Sequence, residues 1–312
     1  MARTHRPQFS ISGRAWALLF LLALIWGGSF LSNRIALAEV GVLTTVAFRV
    51  AGAAVLLWVY VIWRGLPVPR APRQVAGYVA MGVFNNVIPF SLIVWGQQHI
   101  PSGLAAILNS ATSVFGILIV AAFFPDERLT ARKLTGVLIG FAGVAIAIGA
   151  DNLRAFDLAS LGQIAVLAAA ASYAISGVIG RKTMTGIRPE VAAAGMLTAS
   201  SLVMVPAAAL AEGMPSLAYA PQTWAALLYL ASTASALAYM IYYAILRIAG
   251  AGNLGLVTLL VAPVAIVLGA LVYREALSPA DYMGFATLAA GLLVIDGRLG
   301  GKPRTAALQD SA

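Results

Sequence analysis

Apolar runs long enough to cross a lipid bilayer recur ten times in this sequence, with only short polar breaks between them. A spanning helix needs about 20 mostly apolar residues, because inside hydrocarbon each backbone group must be hydrogen-bonded within its own segment. By that measure the runs are 15–35, 43–63, 75–98, 102–124, 133–150, 158–180, 191–211, 223–248, 253–273 and 282–295. The breaks carry charge, Pro or Gly, as in Arg64-Gly65-Leu66-Pro67, His99-Ile100-Pro101 and Gly213-Met214-Pro215, and none could hold a soluble domain. Apolar residues make up 61% of the chain and charged residues 10%, against about 45–50% and about 25% in a soluble domain. Too few charges remain to cover a water-facing surface, and disorder would require the opposite composition. The sequence predicts an all-α polytopic membrane protein with ten transmembrane helices.

The net charge of +9 acquires meaning from where the charges sit. With the N-terminus placed in the cytoplasm, sixteen of the twenty Lys and Arg residues fall in cytoplasmic segments. Arg34, Arg154 and Arg274 fall outside, and Arg49 lies within the second run. This is the positive-inside bias of a bacterial inner-membrane protein with both termini cytoplasmic, including a short cytoplasmic tail over 301–312. It accounts for the basic balance without nucleic acid. Arg3, Arg6 and Arg14 precede the first run as in a signal peptide, but no small-residue cleavage site follows, so an uncleaved first span is expected. There are no cysteines, and His5 and His99 are far apart. No metal site, cofactor or obligate protein partner is expected; the expected contacts are a small-molecule substrate and membrane lipid.

The chain also repeats. Glu127-Arg128-Leu129-Thr130 and Glu275-Ala276-Leu277-Ser278 stand 148 positions apart, and the same offset pairs Gly136 with Gly284 and Gly143 with Gly291. Two halves of five spans follow, over 1–150 and 157–300. Five is odd, so the second half must enter the membrane in the opposite sense. Two inverted-topology repeats of five are the plan of many secondary transporters, whose substrate sites lie near the midplane between the repeats.

Several short motifs accompany this plan. Trp26-Gly27-Gly28-Ser29-Phe30 ends the first span, Phe48-Arg49 lies early in the second and Pro263 lies within the ninth. Glu127 and Glu275 each precede a Gly-containing span. Together these resemble the EamA family of the drug/metabolite transporter superfamily over nearly the whole chain. The resemblance implies a central pathway between the helices and export of small metabolites, and the chain looks most like the amino-acid exporters of that family. Phe115 stands where the repeat would place a partner for Pro263, and Pro125-Asp126 precedes Glu127 where a glycine is usual.

Polar residues inside the spans are the candidates for the pathway, because polar groups in hydrocarbon turn toward the bundle interior. They are Asn85 and Asn86 beside Pro89, Asn109, Thr112 and Ser113, Tyr173 and Ser176, Tyr239 and Tyr243, with Trp95 and Tyr78 as aromatic neighbours. In the eighth span, positions 229, 232, 236, 239 and 243 step by three and four, which predicts that Tyr229, Ser232, Tyr239 and Tyr243 form one polar stripe on an α-helix. Amides can hold both ends of a zwitterion, and aromatic faces can accept a cation. Trp26, Arg49, Glu127, Pro263 and Glu275 are read as structural or gating residues. Arg49 could bind a substrate carboxylate, but it lies about 9 Å into its span, and a structural role is favoured in which it snorkels outward, toward Glu39.

All eleven acids lie in loops, tails or last turns. An ion-coupled carrier often keeps a carboxylate at membrane depth, so downhill export is expected, with proton coupling or a pore as alternatives. No catalytic constellation is present. Ser176 lacks a base, and Gly177–Thr183 lacks the spacing of a phosphate loop.

Overall fold

The computed structural model describes residues 12–124, 130–148, 158–216, 218–254 and 257–296. Among them the chain is helical with no strand. The helices are α1 (Gly13–Ala36), α2 (Val42–Trp63), α3 (Pro72–Gly96), α4 (Ser102–Phe123), α5 (Ala131–Ile148), α6 (Leu158–Thr183), α7 (Pro189–Ala211), α8 (221–254), α9 (Val257–Tyr273) and α10 (Pro279–Asp296). Seven of these, α1–α4 and α6–α8, are long and apolar enough to cross a membrane, and the apolar stretches Leu260–Tyr273 and Pro279–Ile295 are shorter. The protein is a multi-pass membrane protein. Large side chains such as Leu24, Ile62, Leu202 and Leu271 stand exposed on the outside of the bundle, as a lipid-facing surface requires.

The sequence placed a break at Ile248 and a new span from Asn253. The helix instead runs on through residues 249–254. Gly250 and Gly252 lower helix propensity but still donate N–H groups, and no proline forces a stop there.

Short signals set the helix ends. Pro stands in the first turn of α3, α7 and α8, where its missing N–H costs nothing. The end of α2 is a Schellman turn: Gly65 has φ 56°, its N–H bonds to the Ile62 carbonyl, and the Leu66 N–H reaches the Val61 carbonyl. Gly213, 148 positions on, has φ 83° just after α7. The tightest packing joins α5 to α10. A Cβ on Gly136 would stand 2.7 Å from the Gly291 carbonyl oxygen, and one on Gly143 would stand 2.7 Å from that of Gly284. Only glycine permits so close an approach. The two contacts exchange under the offset of 148.

At the end of the bundle away from Gly13, three carboxylates each cap a helix from a different part of the chain. Glu212 accepts from Leu43 N and Thr44 N of α2, both at 2.9 Å. Glu275 accepts from Ser102 N of α4 at 2.9 Å and from Ser102 Oγ at 3.1 Å. Glu39 accepts from Ala220 N before α8 at 2.9 Å. The Thr223 hydroxyl and that amide hold the Glu39 carboxyl below its usual pKa. Gly41, Pro101 and Ala220, the residues in the capping positions, make no side-chain cap of their own, so a distant carboxylate supplies it. Beneath them Gln97, fully buried, accepts from Asn33 Nδ2 at 2.9 Å and donates to the Phe30 carbonyl and to Ser102 Oγ. Its own carbonyl accepts from Arg34. The ends of α1, α3 and α4 and the α9–α10 connection are thereby tied together.

Candidate functional site

Halfway along α3, five residues from Val83 to Val87 form a π-turn. Pro89 explains it. The Ile88 N–H reaches back five residues to the Val83 carbonyl. The Phe84 carbonyl would then need the N–H of residue 89, which proline lacks. Ser172 of α6 supplies the missing donor at 2.7 Å. The widened turn carries Asn85 and Asn86. In α8, residues Tyr229–Leu237 form a second and longer π-segment, which spans the positions 148 beyond 83–87. There Ser232 Oγ bonds back to the Leu228 carbonyl at 2.6 Å, a local bond that competes with the regular ladder. Such π-segments are frequent at functional sites.

The widened turn of α3 meets Tyr239, two residues beyond the π-segment of α8, in a hydrogen-bonded cluster. Asn85 Nδ2 donates to the Tyr239 hydroxyl at 3.0 Å, and that hydroxyl donates to Asn86 Oδ1 at 2.7 Å. Asn86 Nδ2 donates to Ser200 Oγ of α7 at 3.0 Å, and Ser176 Oγ of α6 lies 2.9 Å from Asn85 Oδ1. Four helices thus converge on two amides. Asn86 and Ser200 are fully buried and fix the arrangement, whereas Asn85 and Tyr239 are only partly covered.

One turn nearer the carboxylate-capped end lies a second layer, built around Arg49 of α2. Its side chain is 6% exposed. Arg49 Nε donates to Ser235 Oγ at 3.0 Å, and the guanidinium lies 3.8 Å from the centre of the Phe90 ring. Tyr173 packs edge-on against that ring. The expected outward turn toward Glu39 does not occur, since Glu39 is taken by Ala220 and Thr223.

Of the predicted pathway residues, Asn85, Asn86, Ser176 and Tyr239 come together, with Tyr173 beside them. The others lie elsewhere. On α4, Ser113 faces α9, its Oγ 3.1 Å from Thr258 Oγ1, and Thr112 bonds locally to the Asn109 carbonyl. Asn109 Oδ1 is buried and has no hydrogen-bond partner among the described residues. Trp95 stands edge-on to His99 near the carboxylate-capped end. There it lines an open cavity of about 540 Å³ with Ser91, Gln98 and Glu212. Tyr78 packs between α3 and α7 against Gly195, its hydroxyl 3.4 Å from the Pro69 carbonyl. Tyr243 packs on Tyr242, which in turn meets Trp26.

The single stripe predicted on α8 is split. Tyr229 bonds to the Ile25 carbonyl of α1, while Tyr239 turns to α3. A π-segment holds more residues per turn, so steps of three and four cease to mark one face. Trp26-Gly27-Gly28 packs a crossing, with Gly27 against Val264 of α9 and Gly28 against Tyr229. Pro263 lies inside α9. Glu127 lies outside the described residues. Ser200, Phe90 and Gln97 were not anticipated. Ser200 resembles any mid-span serine, and Gln97 stood too near a predicted span end to look buried.

The family model for the EamA-like transporter family matches the chain twice, over residues 14–149 and 160–296. A protein of Streptantibioticus cattleyicolor, named a probable terminal-alkyne amino-acid exporter, is 28% identical over 95% of this chain and 97% of its own length. A protein of Escherichia coli, named a probable amino-acid metabolite efflux pump, is 25% identical over 91% of this chain and 95% of its own. A solved crystal structure superposes with a TM-score of 0.64 at 23% identity, over 92% of this chain and 98% of that one, and so shares the fold.

Proposed function

The chain belongs to the EamA-like transporter family and is a membrane transporter rather than an enzyme, and from that premise we propose that it exports amino acids or related small zwitterions across a bacterial inner membrane. The observation that carries this is the Asn85–Tyr239–Asn86 cluster, in which two amides and a phenol are held at mid-span by four helices. Amides offer donors and acceptors together and suit a ligand that carries both charges. The exporter names of two full-length relatives favour the same substrate class.

The proposed architecture is ten spans in two inverted repeats, over 1–150 and 157–300, with both termini cytoplasmic. The double family match supports it. So do the π-segments at equivalent positions, the paired glycine turns, and the α5–α10 contacts that exchange under the offset. In this reading the structure is closed on the outer side, where Glu39, Glu212 and Glu275 cap helices, and Glu275 acts as a gate contact. The described acids sit at helix ends, which favours facilitated exit over ion coupling. Expression in bacteria challenged with toxic amino-acid analogues tests the proposal. Tolerance should rise and intracellular pools should fall for at least one analogue, and Asn85→Ala should abolish both without loss of membrane insertion. Pools unchanged across the amino-acid panel would contradict it.

A further inference from the structure

Arg49 carries a full positive charge to membrane depth with no counter-charge among the described residues. Burying an unpaired ion costs several kcal/mol, and arginine cannot escape by losing its proton. Among the described residues no carboxylate lies within ion-pair distance of it, and its ionisable neighbours are the phenols of Tyr173, Tyr239 and Tyr229. The protein satisfies only part of the guanidinium: Nε bonds to Ser235 and one face rests on Phe90. The two terminal amino groups have no hydrogen-bond partner among the described residues, yet neither counts among the sealed, unsatisfied polar atoms. They keep a sliver of exposed surface, with their planar pair of donors unused among the described residues.

The guanidinium lies close to the amide cluster. Ser235 and Tyr239 are four residues apart on α8, and Asn86 and Phe90 are four apart on α3, so about one helical turn separates the two layers. We propose that Arg49 binds the carboxylate of the transported molecule through its terminal amino groups, while Asn85 and Tyr239 receive the remainder of the polar head. A planar guanidinium held by Nε and by an aromatic face is oriented for a two-point bond to a planar carboxylate. The site would then require a carboxylate and reject the matching amide or amine, since neither neutralises the buried charge.

This inference rests on the transport reading above, and one experiment separates the two. Thermal unfolding of the purified full chain is followed with phenylalanine, leucine, their carboxamides and the corresponding decarboxylated amines. The two acids should raise Tm by about 2–4 °C at saturating concentration, and the amides and amines should not. Arg49→Gln should abolish the shift. Arg49→Lys, which keeps charge but loses the fork, should retain a reduced one; if Arg49→Gln does not fold, Arg49→Lys and the acid-against-amide comparison in the unmodified protein carry the test. Amides that bind as well as acids, shifts unchanged in the variants, or no shift with either acid would overturn the proposal. Export of amides or amines that survives in Arg49→Lys would sink it while leaving the exporter reading intact. Arg49-dependent binding of the acids with no flux would do the reverse.

Discussion

The hydroxyl of Tyr239 on α8 lies between two consecutive amides of α3, accepting from Asn85 at 3.0 Å and donating to Asn86 at 2.7 Å. Among the described residues no other phenol bonds to either amide. Interhelical hydrogen bonds in membranes are worth about 0.6 kcal/mol on average and about 1.7 at most. Tyr239→Phe should therefore insert normally and lose little stability. If the same oxygen contacts substrate, efflux should fall by about tenfold, an effect of about 1.4 kcal/mol on the transport step. Efflux at the unmodified level would remove Tyr239 from the pathway.

The glycine seam between α5 and α10 predicts a purely structural effect. Gly143→Val would drive a branched side chain into the backbone of Gly284 and Leu288. Overpacking of this kind costs about 1–3 kcal/mol, visible as a lower Tm of the purified protein. Gly177→Ala, where a Cβ meets nothing within 4 Å, should be neutral or slightly stabilising. Equal losses in both variants would contradict the seam.

Glu275→Gln tests the closed end. It keeps an acceptor for one Ser102 bond and loses the charge that strengthens both. The chain has no cysteine, so a single Ile100→Cys reports on access to that end, where Ile100 is 3% exposed. Labelling by a water-soluble maleimide should rise several-fold when Glu275→Gln is added. An unchanged rate would mean that Glu275 caps α4 without holding the end shut.

Orientation is tested in the same background. Ala38→Cys, exposed beyond α1, should react with a membrane-impermeant maleimide added to intact cells. Pro67→Cys, exposed beyond α2, should react only after permeabilisation. The reverse pattern would invert the topology read from the Lys and Arg distribution.

Much of this was legible in the sequence because apolar length and charge position are local properties. The runs over 15–35 and 43–63 became α1 and α2 with shifts of at most two residues. Asn85 and Asn86 stood out as adjacent amides beside a proline. What the sequence concealed depends on non-local geometry. The stripe on α8 assumed a regular α-helix, and the π-segment rotated Tyr229 away from Tyr239. Arg49 looked free to turn outward because nothing in the sequence shows that Thr223 and Ala220 occupy Glu39, or that Ser235 and Phe90 hold the guanidinium inside. Glu212 and Glu275 are separated by more than 160 residues from the helix starts they cap, a distance no local pattern can bridge.

Counterflow in proteoliposomes containing the purified full chain is the most direct test of the exporter reading. Vesicles loaded with an unlabelled amino acid and diluted into a trace of the labelled one should accumulate label transiently and saturably, and this should be much reduced by Tyr239→Phe. Absence of counterflow across the amino-acid panel, or counterflow unaffected by Tyr239→Phe and Asn85→Ala, would contradict it.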